Sequence, residues 1–188
     1  MINPMRRFLP LGLLAIAMTA CAAAKPLHGT VFAPPQAAKR FPLTDQSGAL
    51  YMLAQARPQV TALYFGFTHC KDVCPQTLAK LARARAAAGL TPQQLQLVMV
   101  SVDPRRDTRA ALRGFFAKLG VQALGLSGSP ASLRPVYRAY GVAVEPNARD
   151  IGHSDYIYML DRQGRLRELL APATAIDDIA ADMKTLVE

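Results

Sequence analysis

Tryptophan is absent, cysteine is held to three residues, and aromatic side chains make up only 7% of the 188-residue chain. Acidic residues are also scarce, 13 Asp and Glu against 22 Lys and Arg, which leaves a formal charge of +9. Three cysteines in this length are too few for a small fold stapled by disulfides. Only one apolar run approaches spanning length, at the very start, and this excludes a multi-pass membrane protein. There are no internal repeats. No basic run is longer than Arg105-Arg106 and no aromatics interleave with the cations, so nucleic-acid binding has no support. What is plentiful is apolar residue, 51% of the chain, too much for a segment that never packs. The length suits one domain with a core of its own. An odd number of cysteines then needs explaining.

The first 21 residues, MINPMRRFLPLGLLAIAMTAC, have the layout of an export signal. Arg6 and Arg7 precede a short apolar stretch from Phe8 to Ala17, and small residues lead to Cys21. Met18-Thr19-Ala20-Cys21 resembles a bacterial lipobox, with Met where Leu is usual. The expectation is a signal peptide over residues 1–20 and lipidation at Cys21. An ordinary cleavage site beside an incidental cysteine, or an uncleaved anchor, are the alternatives. All three export the domain, so the other cysteines face an oxidising space. Removal of residues 1–20 leaves 20 basic against 13 acidic residues, or +7. That surplus fits either a solvated surface or docking to an acidic partner or anionic membrane. Residues 21–40 are Ala- and Pro-rich without sustained periodicity and read as a flexible tether, with His28 solvated in it.

Regular patterning begins at Phe41. FPLT and ALYML flank Asp45-Gln46-Ser47-Gly48 and predict a hairpin. VTALYFGF (60–67) and LQLVMVSV (95–102) are buried strands by their β-branched and aromatic content. Helices are predicted over 75–88, from Asp107 or Thr108 to Leu119, from Ser129-Pro130 to Tyr140-Gly141, and from Ile176 onward. A short strand at 123–126 and two more at 156–160 and 166–170, joined by a turn at 161–164, complete the set. Strands alternating with helices and closing on a hairpin and helix predict an α/β domain over residues 41–188. The order matches a thioredoxin-like fold, a central mixed sheet flanked by helices. To it are added an N-terminal hairpin and an inserted strand–helix unit.

The dense chemistry lies in Thr68-His69-Cys70-Lys71-Asp72-Val73-Cys74-Pro75, between a buried strand and its helix. Pro75 suits the first helical position and disfavours helical geometry just before it, so Cys74 is expected to cap the helix. Both sulfurs would then lie near the positive end of the helix dipole, where thiolate is favoured. Dithiol oxidoreductases of this fold separate their cysteines by two residues; here there are three. Two thiolates suit a soft metal, but they are too few for a thiolate-only cluster or structural zinc site. With one imidazole they make a three-coordinate site that copper accepts as Cu(I) or Cu(II). A plain structural disulfide is the alternative use of the pair. For the imidazole, His153 precedes the strand YIYML, about where thioredoxin-like oxidoreductases place a proline packed on the cysteines. His69 adjoins Cys70 and points to the opposite side in extended chain, which makes it the poorer ligand.

FGFTHCxxVCP, VSVDPxRDT (100–108), GLSGSP (125–130), Ala139-Tyr140-Gly141-Val142, and His-Ser before a YxxD strand together resemble the Sco/SenC copper chaperones. The resemblance implies a membrane-anchored, periplasm-facing protein that delivers copper to the binuclear copper centre of cytochrome c oxidase. It implies Cys70, Cys74 and His153 as ligands, with Asp103 of the VDP motif near the metal or else simply a turn residue. Its implied partners are the copper-bearing oxidase subunit and another periplasmic copper chaperone. Two positions depart from the family pattern: Lys71 replaces a proline, and Gly152 stands where an aspartate often precedes the histidine. No Met-rich stretch supports thioether transport of Cu(I). Other expectations of the fold group are a dedicated thiol–disulfide reductase, which would use Cys70 and Cys74 as a redox pair, and a redox sensor.

Overall fold

A computed structural model describes residues 26–146 and 151–188. Its centre is the strand β4 (Val60–Gly66), every residue of which is buried, and the parallel β5 (Leu95–Ser101) beside it. A strand apolar on both faces must be covered on both, which is why these two lie innermost. Six further strands extend the sheet, three on either side of this pair. On one side of β4 lie β9 (Ile157–Leu160), β10 (Arg165–Leu170) and β1 (Thr30–Ala37), each antiparallel to its neighbour. Beyond β5 come β6 (Leu124–Ser127), parallel, then the hairpin of β2 (Phe41–Asp45) and β3 (Leu50–Leu53). The expected hairpin is present, its turn drawn tight by the Asp45 carboxylate accepting from the amides of Ser47, Gly48 and Ala49.

Four helices flank the sheet: α1 (Val73–Ala87), α2 (Arg109–Leu119), α3 (Pro130–Tyr140) and α4 (Ile176–Val187). The caps read from sequence hold at two of them. Thr108 accepts from the Ala111 amide and Ser129 from the Ser132 amide, while Gly120 and Gly141 close the C-termini in left-handed geometry. α1 packs against α4, and the core runs through Tyr64, Phe65, Phe67, Leu78, Leu81 and Met99, all essentially inaccessible. None of the described helices is long and apolar enough to cross a membrane.

Three expectations change. The tether is shorter than 21–40, because Thr30–Ala37 forms the edge strand β1 on β10. Pro34 and Pro35 lie within it, and the register shifts between Val31 and Gln36, an irregularity an edge position tolerates. His28, expected to be solvated, bonds Asp182 of α4 through its backbone amide and through Nδ1 at 2.7 Å. A two-stranded ribbon of β7 (Val144–Pro146) and β8 (Ile151–His153), not anticipated, precedes β9. The signal peptide over 1–20 and the lipidation at Cys21 lie outside the described residues.

Candidate metal centre

The site forms where the parallel strands end. The chain leaves β4 at Gly66, turns through 67–72 and enters α1. Asp72, not Cys74, is the N-cap, and it makes no side-chain capping bond. Cys74 therefore sits inside the first turn and is buried, while Cys70 stays in the loop, half-buried. Both are free thiols. The Cys74 amide donates to Cys70 Sγ at 3.3 Å, so the helix presents one of its unpaired N-terminal donors to the outer sulfur. The expected thiolate-favouring field does not govern the inner one. Burial pushes the Cys74 thiol up to about 12, outweighing the hydrogen bonds that oppose the shift. In the metal-free protein Cys74 is a neutral thiol at pH 7.

His153 ends β8, and the β7–β8 ribbon carries its ring to the cysteines. Its Nε2 lies 3.7 Å from Cys74 Sγ. Its Nδ1 lies 2.9 Å from the Ser154 carbonyl oxygen, which only accepts, so Nδ1 carries the ring proton. Nε2 is left with a lone pair facing Cys74. The ring is clamped edge-on by Tyr64 and Phe67, with centroids 6.1 and 5.9 Å away. Behind it, Tyr64 Oη donates to Asp155 Oδ1 at 2.5 Å and ties β4 to the turn after His153. Gly66 completes the cradle. A Cβ there would come within 3.3 Å of Cys74 Sγ and 2.7 Å of the Tyr64 ring, so a larger residue would displace both.

The three residues expected as ligands are thus brought together, and Asp103 sits in a turn, its carbonyl accepting from the Arg106 and Asp107 amides. It is buried, takes the Arg106 guanidinium, and lies with Asp107 near His69: one ligating atom from each of the three falls within 4.8 Å of the others. These carboxylates already have partners. Asp107 accepts from the Thr68 amide and hydroxyl and from Ser101 Oγ, bracing the Cys70 loop against β5. Burial still pushes its carboxyl above the ordinary range. His69 is exposed and bonds Thr68 Oγ1. Of the supporting residues, the roles of Tyr64, Gly66, Ser154 and Asp155 were missed in sequence, since none carries a metal-binding signal of its own.

Residues 32–188 match the model of the SCO1/SenC family. A curated relative, the mitochondrial SCO2 homologue of Bos taurus, is 34% identical over 154 residues, 77% of this chain and 57% of that protein. The chain thus spans little more than half the length of the curated relatives it matches. The structure of ScoI from Bradyrhizobium japonicum with copper bound superposes with a TM-score of 0.71 at 31% identity, covering 79% of this chain and 98% of the other. A SCO1/SenC family lipoprotein from Bacillus anthracis gives 0.70 at 26% identity, covering 82% and 98%.

Proposed function

The chain belongs to the SCO1/SenC family, and from that premise we propose that it is a membrane-tethered, periplasm-facing copper chaperone with Cys70, Cys74 and His153 as its ligands. The copper goes to the copper-bearing subunit of cytochrome c oxidase, in keeping with a family of oxidase assembly proteins. One observation carries the ligand assignment: His153 Nδ1 is committed to the Ser154 carbonyl, which leaves the Nε2 lone pair directed at Cys74 Sγ at 3.7 Å. Metal-bound histidines are oriented in this way, by a bond from the other nitrogen. A backbone carbonyl here does what an acidic neighbour at position 152 would otherwise do.

The donor set explains both hold and release. Two sulfurs and an imidazole favour a soft ion over hard divalent cations. Entry of the ion displaces the Cys74 proton, so loading releases protons and strengthens as pH rises. Of the two sulfurs, Cys74 is buried and Cys70 is half-exposed. The outer sulfur is the ligand an incoming partner replaces first, one new bond forming as each old one breaks. Tethering is supported by the lipobox-like segment ending at Cys21 and by the lipoprotein among the structural relatives.

An anaerobic copper titration of the reduced chain tests the assignment. One tight copper per chain is expected, with sulfur-to-copper charge-transfer absorption when Cu(II) is used. Cys70→Ser, Cys74→Ser and His153→Ala each weaken binding by at least tenfold and alter that absorption. Unchanged affinity and spectrum in His153→Ala would remove it from the site.

A second function is favoured by the asymmetry of the free pair, one sulfur half-exposed and one buried behind it. Cys70 as thiolate attacks a partner disulfide, one partner thiol leaves, and Cys74 then displaces the other to give a Cys70–Cys74 disulfide. Two electrons pass to the partner, and an external dithiol restores the pair. Efficient reduction of a peptide disulfide by a chain that binds no copper would establish this alternative.

A further inference from the structure

The surplus positive charge of this chain falls in the segment that carries the cysteine loop and α2. Residues 68–120 hold nine Lys or Arg against three Asp, and the remainder of 26–188 carries ten basic and ten acidic residues, which cancel. Two of the three Asp, Asp103 and Asp107, are buried. Arg85 is buried as well, so eight basic side chains and one acidic, Asp72, remain outside the core in this span. α2 alone carries Arg109, Arg113 and Lys118 with no acidic residue.

Between α2 and the Cys70 loop lies a groove of about 590 Å³, lined among others by Cys70, Lys71, Pro75, Gly114, Phe115 and Lys118. That volume is within the range of clefts that take a ligand or a few side chains. Gly114 stands in the middle of α2, where glycine is the least favourable residue after proline. Nothing packs where its side chain would be: a Cβ there meets no atom within 4 Å. Neither close helix packing nor a left-handed turn accounts for this glycine. What it does is leave the groove open along the face of α2 next to Cys70.

We propose that this groove binds an extended acidic segment of the copper-accepting protein, with an apolar side chain on Phe115 and Pro75 and carboxylates at Lys71 and Lys118. This rests on the chaperone function above and supplies its recognition element. The site's outer sulfur opens into the same groove, so a segment seated there brings its own copper ligand to Cys70. Charge selects this occupant over others. The chain's own residues 21–29 carry Lys25 and no acidic residue, and a second copy would bring the same positive face.

The test uses the metal-free, reduced full chain and fluorescence anisotropy. The probes are a labelled hexapeptide, Glu-Asp-Leu-Phe-Asp-Glu, and its counterpart with Lys at every acidic position. The acidic peptide is expected to bind and the basic one not. Gly114→Gln, which fills the groove while improving helix propensity, and Lys118→Glu each weaken the acidic peptide at least tenfold. Both variants load copper with wild-type affinity, since neither residue is a ligand. Equal binding of the two peptides, or acidic binding indifferent to both variants, would overturn the proposal. So would a wild-type dimer in sedimentation that Gly114→Gln dissolves, because the groove would then serve a second copy. No copper enters the peptide titration, so a failed copper titration and a failed groove are separate results.

Discussion

At His153 the two ring nitrogens have divided duties: Nδ1 holds the Ser154 carbonyl, and Nε2 faces Cys74. That orientation depends on residues that never touch a metal. Tyr64 presses on the ring and holds Asp155, two positions beyond, through its hydroxyl. Tyr64→Phe keeps the ring contact and deletes the bond. Stability should fall by about 1 kcal/mol, the net worth of one hydrogen bond. Copper affinity should fall by roughly tenfold, the lower end of what partners behind metal ligands contribute. Competition titration against a copper chelator reads the second effect, and thermal unfolding the first. Affinity unchanged beside lowered stability would mean that Tyr64 braces the fold without orienting the imidazole.

Among the elements, those legible in sequence had strong punctuation or strong periodicity. β4 and β5 are long unbroken apolar runs; α2 and α3 begin at Thr108 and Ser129 and end at glycines. The grouping of Cys70, Cys74 and His153 was legible because the cysteines share one loop and His153 precedes a recognisable strand. β1 was not legible, since Pro34 and Pro35 interrupt any alternation and only the β10 edge makes the segment a strand. β7 and β8, three residues each, are too short to carry a period. The cap at α1 was misread because Pro75 was given the first helical position, whereas helix begins two residues earlier. Cys74 is buried, and burial reverses its expected acidity.

Entry to β1 is held by ionisable groups, which yields a pH dependence. His28 pairs with buried Asp182 and lies near Asp178, contacts that raise its pKa above 6.5. Glu168, also buried, accepts from the Gly29 amide at 2.6 Å. Desolvation pushes its carboxyl from 4.5 to about 7, with the Asp182 charge adding to the shift. Both groups bind protons more tightly folded than unfolded, so their contribution declines as pH rises. The Glu168 part is lost between about pH 4.5 and 7. The His28 part is complete below about 6.5 and is lost as pH rises through the raised folded value. Glu168→Gln should flatten the fall of the thermal midpoint over the lower window and His28→Gln over the upper. Variant and wild-type profiles that stay parallel from pH 4 to 9 would contradict it.

For the molecule as a whole, composition alone left the surplus charge as a general surface property. The structure puts two of these cations, Lys71 and Lys118, on the groove beside Cys70. The two sulfurs, the imidazole and the groove share one end of the sheet, the end where open α/β sheets place their ligands. The protein's chemistry reduces to one claim, that a single chain holds copper by two sulfurs and one imidazole nitrogen. X-ray absorption at the copper edge of the Cu(I)-loaded reduced chain measures this most directly. Two sulfur and one nitrogen scatterers are expected, with the nitrogen contribution lost in His153→Ala. A copper shell of sulfur alone, identical in wild type and His153→Ala, would contradict it.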